Sequence, residues 1–211
     1  MDQEEIFQSV EFFQLVANRS QAEIDRIQWA YHTAKMAHAK QLRDDGRRYF
    51  DHPRSVAIRA IKSGFGTTPV VMLCLLHDVY EDTFVPPGML YRLFGKSIYE
   101  DVLMVSKTMP QIDRVTGRFL DRIKKPTERY YRDILLASRR RVRLVKCFDR
   151  IDNVLDCAAL TPGRRRKYAI ETREFIYPIV DVTDPRLASE LRVATDALDP
   201  GPSVEPDRPR S

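Results

Sequence analysis

The stretch Val70-Val71-Met72-Leu73-Cys74-Leu75-Leu76-His77-Asp78-Val79-Tyr80-Glu81-Asp82-Thr83 decides how the rest of this chain is read. Its apolar run leads directly into His-Asp, and Glu-Asp follows after two more residues. Such a run reads as a buried helix, with Thr67 or Thr68 as its cap and Pro69 at its start. Ionisable side chains at the end of a buried segment are costly. A carboxylate taken out of water without a partner costs on the order of several kcal/mol, or shifts its pKa until it is neutral. Clustered acids beside a His therefore suggest a cation that offsets the cost, which makes His77 and Asp78 candidate metal ligands. The alternative is a helix end whose acids are solvated.

Upstream lies Tyr49-Phe50-Asp51-His52-Pro53. Pro53 suits the first turn of a helix, and Val56, Ala57, Ala60 and Ile61 supply its buried face. His52 then stands just ahead of that helix, either capping it or turning its ring toward a neighbouring element. Downstream, Val142, Val145, Phe148, Ile151, Leu155 and Ala158 trace one helical face between Arg141 and Leu160. Lys146, Asp149, Asn153 and Asp156 recur at steps of three and four, forming a polar stripe on the same helix. The stripe could be solvated surface. Asp149 is flanked by Phe148 and Ile151, however, and so reads as a partly buried acid in need of a partner.

The remaining segments are also helical in pattern. Met1 to Asn18 forms an amphipathic helix carrying Ile6, Val10, Phe13 and Leu15 or Val16. Ser20 and Glu23 have capping-box spacing ahead of a long helix bearing Ile24, Ile27, Tyr31, Ala34 and His38. His38 is expected as a hydrogen-bonded core residue and His32 at the surface. Gln41 to Asp51 reads as a loop. Met89 to Lys107 reads as a helix that Gly95 can interrupt, residues 109–117 as a loop, and Arg118 to Ser138 as helix again. A last core helix carries Tyr168, Ile170, Phe175, Ile176 and Ile179. No strand-like alternation of any length is present, so the expected fold is all-α: a single-domain helical bundle. Its expected parts are an N-terminal helix (1–19), the main domain (20–185), and a short helical segment with a disordered tail (186–211).

A chain of 211 residues that is 43% hydrophobic can fill one core. No apolar run approaches the ~20 residues that cross a bilayer, and Met1 to Val10 has acids where a signal peptide has bases. The expected location is the cytoplasm. Cys74, Cys147 and Cys157 lack paired spacing and lie in apolar surroundings, which predicts buried free thiols. The net charge of +5 is unevenly spread: Arg139, Arg140, Arg141 and Arg143 form one cluster, and Arg164, Arg165, Arg166 and Lys167 another. Such clusters attract phosphates or are merely solvated.

Gathered together, His52, His77, Asp78 and Asp149 offer a divalent cation two imidazoles and two carboxylates and leave positions open for water and substrate. Mixed nitrogen and oxygen ligands without thiolate suit Mn²⁺, Fe²⁺, Co²⁺ or Zn²⁺ better than Ca²⁺. Glu81 and Asp82, a turn beyond His77 and Asp78, are placed to orient or deprotonate a bound water. The expected reaction is metal-assisted hydrolysis of a phosphate ester or anhydride.

Three blocks carry a family resemblance: Tyr49 to Pro53, Leu76 to Thr83, and Lys146-Cys147-Phe148-Asp149-Arg150-Ile151-Asp152-Asn153. In this order and spacing they resemble the HD phosphohydrolase superfamily. More narrowly, they are similar to the (p)ppGpp hydrolase domain of the RelA/SpoT family and the stand-alone small alarmone hydrolases, over about Ile24 to Val180. The resemblance implies that His52, His77, Asp78 and Asp149 hold Mn²⁺ and that Glu81 and Asp82 activate water. It places Arg43 against the guanine base and Asn153 on the nucleotide, with removal of the 3′-pyrophosphate of ppGpp or pppGpp to leave GDP or GTP. With no segment for a synthetase domain, degradation without synthesis is expected.

The chain departs from that pattern at Asp44 and Asp45, which follow Arg43 where a Lys and a small polar residue are common and which would repel phosphate. Asp152 and Leu155 also replace commonly aromatic or His and Arg residues. Arg47, Arg48, Lys107 or the Arg164 to Lys167 cluster could supply the missing positive charge, and a related nucleotide such as ppApp or NADPH becomes an alternative substrate. A second reading is an antitoxin-like module that neutralises a toxic alarmone synthetase by contact or by destroying its product. Nucleic-acid binding is disfavoured, because no helix-turn-helix pattern or interleaved aromatics accompany the arginines.

Overall fold

The computed structural model describes residues 3–157 and 160–199. Ala158 and the expected tail beyond Asp199 lie outside the described residues, as does the side chain of Ile6. Helices α1 (Gln3–Val16), α2 (Gln21–Ala37), α3 (Asp51–Lys62), α4 (Thr68–Leu76), α5 (Val79–Asp82) and α6 (Pro87–Val105) come first. A hairpin, β1 (Thr108–Ile112) and β2 (Phe119–Lys124), is followed by α7 (Thr127–Leu135), α8 (Arg140–Asp156), α9 (Pro162–Glu171), a π-helical turn (Thr172–Ile176), α10 (Tyr177–Asp181) and α11 (Pro185–Leu198). The all-α expectation holds apart from the hairpin.

The opening stretch is the axis of the bundle. Every side chain of α4 except Pro69 is buried, and the helix packs against α2, α3, α6 and α8. A helix apolar on all sides must be enclosed, and each fully buried Leu, Val or Met contributes about 1.5–3 kcal/mol. Close packing around α4 begins at the preceding turn: a Cβ on Gly66 would fall 2.8 Å from the Ile61 Cα. At the helix starts, Glu23 Oε2 accepts from Ser20 N (3.3 Å) and Oγ (2.7 Å), while its Oε1 accepts from Thr68 Oγ1 at 2.7 Å. The predicted capping box thereby also ties α2 to α4.

Gly95, at φ +76°, kinks α6 as its position suggests. The expected 109–117 loop and 118–138 helix are corrected. Antiparallel strands pair Thr108 with Lys124 and Ile112 with Phe119, and helix begins only at Thr127. Asp113 Oδ1 accepts from Val115 N and Thr116 N, and Gly117 adopts φ +67°, so a tight turn reverses the chain. Pro126 then excludes helix at the residue before it. The expected last core helix is also divided, at the π-helical turn preceding Pro178.

The ends of the described chain join the core. Phe12 and Val16 of α1 are buried, while Phe7 and Val10 are exposed. Leu187, Ala188 and Leu191 make α11 part of the same core, packed on α8. Arg54, 1% exposed, fastens α1 to α3, donating to Gln8 Oε1 (2.7 Å), Ser9 Oγ (3.2 Å) and Asp51 Oδ1 (2.7 Å). Arg54→Met is expected to lower unfolding free energy by about 1.5–3 kcal/mol, the usual range for a charged hydrogen-bonding group. Urea denaturation measures it, and an unchanged midpoint would show that α1 is held by its apolar face alone.

The first arginine cluster is structural. Arg139 and Arg141 both pair with buried Asp101, Arg140 donates to Thr183 O at 2.8 Å, and Arg143 donates to Ala137 O. All three cysteines are free and buried, as read from sequence. His38 is buried with Nδ1 2.6 Å from Gln41 Oε1, and His32 is exposed. Among the described residues, no helix is long and apolar enough to cross a membrane.

Candidate metal centre and active-site cavity

The packing of α3, α4 and α8 brings the predicted ligands to one point. His52 opens α3, His77 and Asp78 lie in the break between α4 and α5, and Asp149 is midway along α8. The Nε2 atom of His52 is 3.2 Å from Asp149 Oδ1 and 3.9 Å from Asp78 Oδ2. His77 Nε2 is 3.2 Å from Asp78 Oδ2 and 3.7 Å from Asp149 Oδ1. Ligand atoms of His52, His77 and Asp149 all fall within 4.8 Å of one another, close enough to share an ion.

The hydrogen bonding of His77 is informative. Its Nδ1 lies 2.7 Å from the Cys74 carbonyl, which can only accept, so Nδ1 carries a hydrogen and Nε2 is the nitrogen left to face the acids. That buried Nε2 has no hydrogen-bond partner. An orphaned imidazole nitrogen aimed at two carboxylates and a second imidazole fits a divalent cation, and the donor set suits a transition metal.

Electrostatics favour ionised ligands. Burial alone would push the Asp149 carboxyl up, but the Lys146 ammonium, 2.8 Å from Oδ2, together with both imidazoles, holds it well below the usual carboxylate range. Burial likewise opposes ionisation of Asp78, and His77 and His52 outweigh it, so its pKa is lowered. Glu81 and Asp82 behave oppositely. Burial, reinforced by Asp78, raises both carboxyls above their ordinary values. Glu81 Oε2 accepts from Lys107 N at 2.5 Å, and Asp82 Oδ2 accepts from the Tyr49 hydroxyl at 2.6 Å.

These groups line a cavity of about 260 Å³ that also exposes Lys107, Lys146, Arg150, Tyr130 and Glu171. A second cleft, of about 640 Å³, shares Arg43, Tyr49, Asn153, Tyr168 and Glu171 with it and adds Leu42, Leu160, Thr161, Arg164 and Lys167. Arg43 sits at the junction, donating to Asn153 Oδ1 at 3.0 Å and pairing with Asp156 at 3.0 Å, while Asn153 donates to Asp149 Oδ1 at 2.5 Å. Arg47 is not in either space. It pairs with Asp45 and Asp156 and lines a smaller cavity of about 210 Å³. Asp44 and Asp45 pair with Arg164 and Arg47, at 2.9 and 2.6 Å, which offsets part of the repulsion that their sequence position suggests.

Sequence reasoning overlooked two contributors. Tyr49 places its hydroxyl between Asp78 Oδ2 (2.9 Å) and Asp82 Oδ2 (2.6 Å), and Lys146 is buried as the counter-ion of Asp149. Tyr49 lies in the quoted Tyr-Phe-Asp-His-Pro block, and Lys146 is a step of three from Asp149, so both signals were present without a partner to interpret them.

The family model described as "HD domain" matches residues 30–178. The bifunctional (p)ppGpp synthase/hydrolase SpoT of Escherichia coli K12 is 36% identical over 160 residues, covering 74% of this chain and 22% of that protein. The guanosine-3′,5′-bis(diphosphate) 3′-pyrophosphohydrolase of Haemophilus influenzae is 37% identical over 147 residues, covering 69% and 21%. The chain thus spans about a fifth of the length of these curated relatives. A solved structure described as a metazoan ortholog of SpoT that hydrolyses ppGpp superposes with a TM-score of 0.65 at 21% identity, covering 82% of this chain and 94% of that one. That likeness supports the fold. A family match across most of the bundle, and four converging side chains taken from three separate helical segments, lead to one conclusion: the chain belongs to the HD domain family, and within it is similar to the RelA/SpoT-type proteins.

Proposed function

We propose that this chain is a metal-dependent hydrolase that removes the 3′-pyrophosphate of guanosine alarmones, converting ppGpp or pppGpp to GDP or GTP. The observation that supports it best is the convergence of His52, His77, Asp78 and Asp149 on the floor of a cavity that shares a wall with a larger cleft. A divalent cation in that centre, Mn²⁺ in this proposal, would acidify a bound water and polarise a phosphoryl oxygen. Hydrolysis joins a water oxygen to phosphorus and breaks the bond from that phosphorus to the 3′ oxygen. A proton must leave the water, and one must reach the departing oxygen.

Glu81 and Asp82 are the residues assigned to those proton movements, since raised carboxyl pKa values beside the cavity suit groups that exchange protons near neutrality. Tyr49 holds Asp82 in place. Lys107 and Arg150 give the cavity positive charge for the phosphates. Arg43 and Asn153, at the junction with the larger cleft, are assigned to the nucleotide, and the base takes the space beside Leu42 and Leu160. Asp44 and Asp45, the acids that a contact-only antitoxin role would offer to a partner protein, are each paired with an arginine.

The test is a substrate panel with Mn²⁺ present: ppGpp, pppGpp, ppApp, NADPH and deoxynucleoside triphosphates, resolved for phosphate against pyrophosphate. Pyrophosphate release from ppGpp and pppGpp, at rates well above the others, is the expected result. Preferential turnover of NADPH or ppApp would keep the chemistry and replace the substrate, and no turnover of any would overturn the proposal.

A further inference from the structure

The α3–α8 interface holds a buried carboxylate that the proposed reaction leaves without a role. Asp152, 7% exposed, lies one turn beyond Asp149 on α8. Facing it on α3 are His52, Ser55 and Arg59, which recur at helical spacing. Asp152 Oδ2 is 2.7 Å from His52 Nδ1, Oδ1 accepts from Ser55 Oγ at 2.6 Å, and Arg59 Nε stands 4.0 Å from Oδ1. Arg59 is turned outward by a 2.9 Å bond to Glu190.

The His52 ring is therefore clamped between two acids of one helix, with Asp149 at Nε2 (3.2 Å) and Asp152 at Nδ1. An ionised carboxylate only accepts, so contact with Asp152 keeps a hydrogen on Nδ1 and makes Nε2, which faces Asp149 and His77, the nitrogen available to a cation. His77 receives the equivalent support from a neutral backbone carbonyl, that of Cys74. A carboxylate does more than a carbonyl. It fixes the ring and adds a negative charge behind it, which makes the imidazole a stronger donor toward a cation.

We propose that Asp152, braced by Ser55, is a positioning residue that sets the affinity of the His52, His77 and Asp149 centre for a divalent cation. It acts through His52 and does not touch substrate. The inference rests on the metal-dependent reading above, and the experiment separates failure of the two. The 211-residue chain, stripped of metal, is titrated with Mn²⁺ by calorimetry and with Co²⁺ by visible absorption, alongside Asp152→Asn, Asp152→Ala, Ser55→Ala and, as a control, Asp149→Ala, with circular dichroism to monitor folding.

Asp152→Ala is expected to bind Mn²⁺ about 10–100-fold more weakly, the effect usual for loss of a carboxylate behind a ligating His. Asp152→Asn keeps an acceptor without the charge and should fall between Asp152→Ala and the parent, as should Ser55→Ala. The Co²⁺ absorption bands should shift in Asp152→Ala as the His52 ring is released. Saturating Mn²⁺ should restore turnover with KM for ppGpp unchanged.

If folded Asp152→Asn binds both metals like the parent while Asp149→Ala does not, Asp152 merely joins two helices and the proposal fails alone. An altered KM at saturating metal would also overturn it, by placing Asp152 on the substrate. If the parent chain itself binds neither metal, the metal-dependent reading falls and takes this inference with it. Should Asp152→Ala not fold, Asp152→Asn decides.

Discussion

Asp149→Ala, stripped with a chelator and returned to Mn²⁺, is expected to release pyrophosphate from ppGpp at least about a thousandfold more slowly than the parent chain. Bound metal is typically worth several kcal/mol of transition-state stabilisation, and a loss of ~4 kcal/mol corresponds to roughly three decades in rate. Asp149 is the most exposed to this test because its Oδ1 lies within 3.7 Å of His52 Nε2, His77 Nε2 and the Asn153 amide nitrogen alike. Its removal also leaves the Lys146 ammonium uncompensated beside the centre, so a cation would meet repulsion as well as a missing ligand. Asp78→Ala should behave similarly without freeing Lys146. Steady-state release of pyrophosphate, with metal content measured on the same samples, checks both. Activity retained by the two variants would remove the metal assignment.

Lys146→Met should have the largest effect on stability. Lys146 and Asp149 are both buried, and the ammonium lies 2.8 Å from Asp149 Oδ2 and 5.5 Å from the Tyr130 ring centroid. Removing one partner of a buried ion pair strands the other charge, which typically costs about 3–5 kcal/mol. The two imidazoles beside Asp149 soften this, placing the expected loss toward the lower end of that range. Urea denaturation in chelator measures it. Adding Mn²⁺ should recover part of the loss, because a cation at the centre supplies the counter-charge and binding to the folded state alone stabilises it. A Lys146→Met chain as stable as the parent in chelator would mean that the imidazoles already suffice as counter-ions of Asp149.

The site was partly legible because its chemistry sits at conspicuous places. His77-Asp78 terminates the most apolar run in the chain, and Asp149 stands between Phe148 and Ile151 at the border of an apolar helical face, so both betray burial of a group that water would rather keep. Arg47 lies outside the two larger spaces for a complementary reason. Its charge suited phosphate, but Asp45 lies two residues away and Asp156 faces it across the α8 groove, and both bind it first. The hairpin was missed because Pro110 and the short strand β2, whose apolar Phe119, Leu120 and Ile123 do not alternate, hide the strand pattern, and its turn rests on an Asp113 side chain whose hydrogen bonds no periodicity reports.

By itself the sequence determined the bundle of helices, the enclosure of α4, the free buried thiols and the residue types able to hold a metal, because each follows from spacing along a few turns of one helix. Only the tertiary structure decided which charges meet. Asp149 and Asp152 reach opposite nitrogens of His52 from 97 and 100 residues away, and Arg43 reaches Asn153 from 110. Such pairings depend on where α3 and α8 cross and how far each is rotated, and the helical period carries the rotation of a helix about its own axis but nothing about its neighbour's.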